Sequence, residues 1–198
     1  MIIAKTISFL TAELNRFLLL KMNVLSNPAI VMGNVSKAIE DNSSGTASLA
    51  NQLVVSLVNI EEDRIAKTQE NYTRTDSTTL YSNPPLRLNL YILIAANKTD
   101  YNRSLEMLGL VMQYFQQYAV ITKTTHPNLD SSIEKLLIEL YSLNFEQVNH
   151  LWSTLGGKYM PSVLYRVRQV IIQEDIVTAE AGFIKEIQIS ENTKPATS

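Results

Sequence analysis

Residues 133–172 read IEKLLIELYSLNFEQVNHLWSTLGGKYMPSVLYRVRQVII, and the succession of periods within them decides the fold. The opening alternates, with Leu136, Ile138 and Leu140 on one side of a strand predicted over 133–143. Asn144 then caps a helix over 145–155, and Gln147, three residues on, resembles a capping box. Phe145, Val148, Trp152 and Leu155 form the apolar stripe of that helix, and Trp152 is the sole tryptophan. Gly156-Gly157 supplies a positive-φ stop. Pro161 precedes a strand over 162–172, in which Val163, Tyr165 and Val167 point one way and Leu164, Arg166 and Arg168 the other. A segment this ordered and this poor in catalytic side chains is suited to docking against other surfaces.

Outward from it, the other elements follow the same rules. A β-branched, nearly continuous apolar run, QLVVSLVNI (52–60), predicts a strand buried on both faces. It ends in Glu61-Glu62-Asp63. Pro84-Pro85 opens a further strand over 86–97, with Leu86, Leu88, Leu90, Ile92 and Ile94 on one face and Arg87, Asn89 and Tyr91 on the other. A helix over 102–118 follows, capped by Asp100, with Leu105, Leu108, Met112 and Phe115 as its buried stripe. At the N-terminus Ile7, Leu10, Leu14, Phe17 and Leu18 recur at helical spacing and predict an amphipathic helix over 6–22. Residues 29–32 form a short apolar run fit for a strand. The segment KTQENYTRTDSTTLYSN (67–83) is polar and aperiodic and reads as a long exposed loop. The pattern is α+β, with helices packed on a mixed or antiparallel sheet, in one domain over 1–172 followed by a C-terminal extension over 173–198.

Composition excludes several classes of function. With 45% hydrophobic residues in 198, the chain can bury a full core without a disulfide or metal staple. There are no cysteines, so thiol nucleophiles and cysteine-based metal sites are excluded, and a reducing cytoplasm suits the chain. The formal net charge of −2 offers no broad basic field for nucleic acid. Polar residues interrupt the N-terminal helix, so it is read neither as a signal peptide nor as a membrane span, and the protein is expected to be soluble and cytoplasmic on assembly.

No Gly-x-Ser-x-Gly elbow, phosphate-binding glycine loop or histidine–ligand spacing occurs in the chain. His126, beside Pro127, and His150, on a helix, read as ordinary surface or half-buried residues, so neither a metal nor another cofactor is expected. Glu61-Glu62-Asp63 has the makings of a cation site or acid/base pair, but a charge run closing a buried strand is more often a solvated turn or an interface edge. The residues most suited to contacts with a partner are Arg166 and Arg168 on one strand face, the acidic Glu61, Glu62 and Asp63, and Phe183 and Ile184 in the extension. Arginine gives directional pairing with acidic groups of a neighbour.

Four stretches resemble the cap, or tail-terminator, family of extracellular contractile injection systems of the Photorhabdus virulence cassette and antifeeding prophage type. They are LVVSLVNIEEDR (53–64), PPLRLNLYILIAAN (84–97), YNRSLEMLGLVMQYFQ (101–116) and the run from 138 to 172, whose most specific part is LNFEQVNHLWSTLGGKYMPSVLYRVR (143–168). The resemblance spans about residues 5 to 172. It implies an α+β fold similar to contractile phage tail terminators and a structural, non-enzymatic role. Six copies would form a ring on the distal end of sheath and tube, ending polymerisation and stabilising the particle, and the extension would reach towards a neighbour or the sheath. The alternative is a non-enzymatic adaptor that binds cargo or a membrane-associated partner through its loop and tail.

Overall fold

The computed structural model describes residues 1–22, 29–40, 49–63, 72–74, 78–82, 85–172 and 177–182. They fall in two compact units, one of Met1–Ala66 with Leu86–Ile172 and one of Lys67–Pro85 with Gln173–Ser198.

The larger unit is built on a sheet whose central strand is the most apolar of all. Strand β1 (Ile30–Met32) pairs in parallel with β2 (Gln52–Glu62). Helix α1 (Ile2–Met22) precedes β1, and the short α2 (Val35–Glu40) follows it. In the smaller unit lie β3 (Tyr72–Arg74), β4 (Thr78–Ser82) and, much later, β9 (Val177–Gly182). The larger unit continues with β5 (Leu86–Asn97), α3 (Tyr101–Gln117), β6 (Val120–Thr122), β7 (Lys135–Leu140), α4 (Phe145–Thr154) and β8 (Ser162–Ile172). Its six strands lie in the order β1-β2-β5-β8-β7-β6, and every pair but β1–β2 is antiparallel. The sheet is therefore mixed.

Burial on both faces of β5 explains its continuous apolar character. Leu88, Leu90, Ile92, Ile94 and Ala96 enter the main core, whereas Tyr91, Leu93 and Ala95 join a second cluster on the opposite face. On the main face α1 contributes Ile7, Leu10, Leu14 and Leu18, and α3 contributes Met107, Leu108, Val111, Tyr114 and Phe115. Full burial of one such side chain contributes about 1.5–3 kcal/mol. The buried hydroxyl of Thr11 donates to the Ile7 carbonyl one turn back, so the helix satisfies it internally. On the second face Val35 of α2 and Trp152 of α4 cover Leu93, Ala95 and Leu164.

Two insertions re-aim side chains across the sheet. Val58 is an extra residue on β2, since Leu57 opposes Ile92 while Asn59 opposes Tyr91. On β8, Val167 opposes Leu90 and Val170 opposes Leu88, with Gln169 at φ 70° between them. Both Val167 and Val170 thus reach the main core although three positions separate them.

Some expectations from the sequence change. The buried stripe of α3 is rotated about one position from the predicted one: Leu105 is 47% and Met112 42% exposed, while Met107, Val111 and Tyr114 are buried. Helical periodicity alone tolerates either stripe, and the packing against α1 selects the one with Tyr114. Leu140 and Phe145 are 51% and 96% exposed, because β7 ends at Leu140 and α4 turns only its Trp152 side to the sheet. The predicted loop over 67–83 contains β3 and β4, which with β9 form a three-stranded antiparallel sheet, β3-β4-β9. Tyr72, Thr73, Thr78, Thr79 and Tyr81 are strand formers whose polar surroundings concealed them.

Candidate functional site

The second face of the larger sheet carries α4 at one end and a ladder of charges at the other. Asn144 accepts from the backbone N–H of Gln147 at 2.8 Å and Gln147 accepts from that of Asn144 at 3.0 Å, which closes the capping box of α4. At its far end the N–H of Gly157 donates to the Trp152 carbonyl at 2.6 Å and that of Gly156 to Ser153 at 3.4 Å. Gly156 and Gly157 hold φ of 111° and 78°, the left-handed backbone of a Schellman stop. The chain then turns outward, exposing Lys158 and Tyr159 before β8 begins.

Strand pairing sets the charged residues side by side. Glu139 on β7 opposes Arg166 on β8, and Arg166 in turn opposes Tyr91 on β5. Arg166 Nε donates to Glu139 Oε2 at 3.0 Å, and Arg168 Nη1 to Glu139 Oε1 at 3.4 Å. Hydrogen bonding from Arg166 holds the Glu139 carboxyl below its ordinary pKa and raises that of the guanidinium. Arg168 Nη2 also donates to Asp63 Oδ2 at 3.3 Å. Tyr91 Oη donates to Glu61 Oε2 at 2.6 Å, and this bond to a carboxylate raises the pKa of the phenol.

The acidic run is split by strand alternation. Glu61 opposes Asn89 on the arginine face, while Glu62 opposes the core residue Leu88. Both glutamates belong to β2 rather than to a turn, and Asp63 extends the ladder through its N–H to the Arg87 carbonyl at 2.8 Å. Asp63, Arg166 and Arg168 are thus brought together within one chain, and Glu61 lies beside them through Tyr91. Phe183 and Ile184 lie outside the described residues. Glu139, which sequence reasoning did not single out, is the hub of the ladder. Its alternation with Leu136 and Ile138 was readable, but the adjacency of β7 and β8 was not. Asn89 Oδ1 and the Nε atoms of Arg87 and Arg168 are buried without hydrogen-bond partners among the described residues. Such groups are costly to leave unmatched, so the ladder is only partly satisfied by its own side chains.

His126 differs from its expected place. It is 4% exposed, with Nε2 3.0 Å from Tyr114 Oη and Nδ1 3.0 Å from Thr125 Oγ1. Glu13 of α1 stands 4.0 Å from Nε2 and pairs with Arg16. Burial lowers the imidazole pKa and raises that of Tyr114. The α1 and α3 helices supply the partners that a lone histidine in the sequence does not reveal. His150 is exposed on α4. Among the described residues no group of three or more side chains is arranged to hold a metal ion, and no helix is long and apolar enough to cross a membrane.

The profile of the Pvc16 N-terminal domain family matches residues 6–186. Two solved structures are similar in fold. One is the sheath/tube terminator of the PVC extracellular contractile injection system in its extended state, at 12% identity and a TM-score of 0.56 over 94% of this chain. The other is the tube-terminating cap of the anti-feeding prophage, at 15% identity and a TM-score of 0.52 over 71% of this chain. The present chain spans 65% of the first of these proteins and 49% of the second. No curated protein sequence matches the chain.

Proposed function

The chain belongs to the Pvc16 N-terminal domain family, and from that membership we propose that it is a structural cap of a phage-tail-like contractile injection particle. In this reading it forms a ring of six on the distal end of tube and sheath, ends their polymerisation and stabilises the particle. Residues 1–172 form the body of the cap and 173–198 its extension. Assembly takes place in the cytoplasm, and the neighbours are the terminal sheath and tube proteins. The observation that carries the proposal is the family match over residues 6–186, with a terminator-like fold in support.

The physical character of the charged face agrees with a role in assembly rather than catalysis. A closed ring needs two different, complementary patches on each subunit, because its contacts are head-to-tail. Arginines already fixed by Glu139 and Asp63 present oriented hydrogen-bonding groups with little further ordering cost. Glu61, Glu62, Asp63, Arg166, Arg168, Phe183 and Ile184 are the residues we assign to such contacts.

Deletion of the gene, followed by electron microscopy of the particles, tests this function. A cap predicts particles of abnormal and widely spread length; an unchanged length distribution overturns it. Removal of 173–198 separates the cap from an adaptor. The truncated cap is expected to lose its place at the particle end, whereas an adaptor loses another partner and leaves particle length unaltered.

A further inference from the structure

Glu61 stands apart from the other carboxylates of the charged face. Glu139 receives both Arg166 and Arg168, and Asp63 receives Arg168. The Glu61 carboxylate receives a neutral phenol, Tyr91, at 2.6 Å, and forms no ion pair among the described residues. It is an exposed anion held in one orientation.

That anion stands beside a cleft of about 370 Å³ between α4 and the sheet, lined among others by Val58, Tyr91, Tyr141, Leu151 and Leu164. The Tyr91 and Tyr141 rings meet edge to face at 5.1 Å, so part of the lining is aromatic. Aromatic and aliphatic walls with one fixed carboxylate suit a long cationic side chain, whose methylenes lie on the rings while its head reaches the anion.

A matching group is exposed near the cleft on the same chain. After the Gly156-Gly157 stop, Lys158 is exposed and Tyr159 is 66% exposed. Lys158 makes no ion pair among the described residues. Tyr159 lies edge-on to Trp152 at 5.7 Å, which supports the tip from below. It lines an adjoining cavity of about 270 Å³, which shares Tyr141, Leu143, Leu151 and Leu164 with the first but does not include Glu61. The cationic tip and the acidic cleft are therefore neighbouring but distinct features of one face, complementary in charge.

We propose that the Lys158–Tyr159 tip of one copy of this chain docks in the Glu61 cleft of the next, with the ammonium on the carboxylate and the methylene stem on the Tyr91–Tyr141 rings. The contact joins unlike patches, and a head-to-tail contact of this kind makes a ring where its rotation closes; in this respect it rests on the cap reading. A directed charge pair of this kind also fixes register between subunits.

The test is a charge swap in the full chain, with self-association followed by sedimentation and native mass spectrometry across a concentration series. Glu61→Lys and Lys158→Glu are each expected to weaken association at least about tenfold, and the Glu61→Lys/Lys158→Glu pair to restore most of it. Circular dichroism melts confirm that each single variant is folded, and Glu61→Gln serves as a neutral variant with a smaller expected loss. Folded single variants that associate like the parent overturn the proposal. So does a double variant that stays as weak as the singles, or a parent chain that remains monomeric throughout. Particle lengths in the deletion strain are read independently: abnormal lengths with unaffected single variants retain the cap and remove this interface, whereas normal lengths remove the cap itself.

Discussion

Arg166 faces Glu139 directly across the β8–β7 ladder, its Nε 3.0 Å from the carboxylate, and the two side chains are 33% and 41% exposed. The pair is therefore local, and its own contribution is that of a partly solvated ion pair, about 0.2–1 kcal/mol. What it fixes is the direction in which the guanidinium is presented.

This geometry changes how the arginine face should be probed. Simple reversal at Arg166 sets two carboxylates against each other and confuses folding with assembly. The exchange Glu139→Arg/Arg166→Glu keeps a local pair while moving the positive charge by one strand. We expect the single Arg166→Glu variant to lower the melting temperature by a few degrees, since about 1 kcal/mol corresponds to about 2–4 °C at this size. Because the exchange also takes the Glu139 partner from Arg168, the exchanged pair should melt between the single variant and the parent but assemble less well. Unchanged oligomer mass in the exchanged variant would remove Arg166 from the interface.

Gly157 makes a cleaner local prediction. Its φ is 78°, and a Cβ added there meets nothing within 4 Å. Gly157→Ala should therefore cost only the left-handed backbone penalty, about 1–2 kcal/mol, without any clash. Gly157→Asn should cost less, because asparagine tolerates that conformation. Equal losses for Ala and Asn in thermal melts would mean that the Schellman stop is not what this glycine supplies.

Gln169 tests the inserted residue on β8. Its φ of 70° is strained for a side-chain-bearing residue, and among the described residues its Oε1 accepts a single long bond, from Arg87 Nη1 at 3.4 Å. Gln169→Gly should relieve that strain and, after the entropy cost of glycine, leave stability unchanged or raised by up to about 1 kcal/mol. Deleting Gln169 should be far more harmful, since Val170, fully buried, would swing to the charged face. A deletion variant that melts like the parent would contradict the bulge.

The same position marks where the sequence stops being legible. Alternation from Val163 through Arg168 is correct, as are the Asn144 cap and the glycine stop, because each depends on neighbours within one turn or one strand. Continued strictly, alternation would bury Gln169 and expose Val170; core packing overrides it through the insertion. The separation of Glu61 from Glu62 onto opposite faces was equally implicit in the period of β2. The pairing of Asp63 with Arg168 was not, because it requires β5 to lie between β2 and β8. That order is set by long-range packing, which no local pattern encodes. Glu13 and His126 escaped for the same reason, being brought together by the packing of α1 against the 126 loop.

His126 supplies a pH prediction whose sign follows from its surroundings. Buried against Tyr114, Tyr118 and Phe9, with Glu13 and Arg16 nearby, the imidazole is held neutral and its pKa lies below the ordinary 6.5. Burial is the leading cause; the Glu13 carboxylate opposes it and Arg16 reinforces it. In the unfolded chain the ring takes up a proton near its ordinary pKa, so between that value and the lower folded one the unfolded state binds more protons. Stability must then fall as pH drops below about 6.5, by at most about 1.4 kcal/mol per pH unit from this one group, and level off below the folded pKa. His126→Gln should remove this part of the slope while losing some stability at neutral pH through poorer packing. Urea titrations at closely spaced pH values from 8 to 5 measure it, and a variant that keeps the full parental slope would show that the proton is taken up elsewhere.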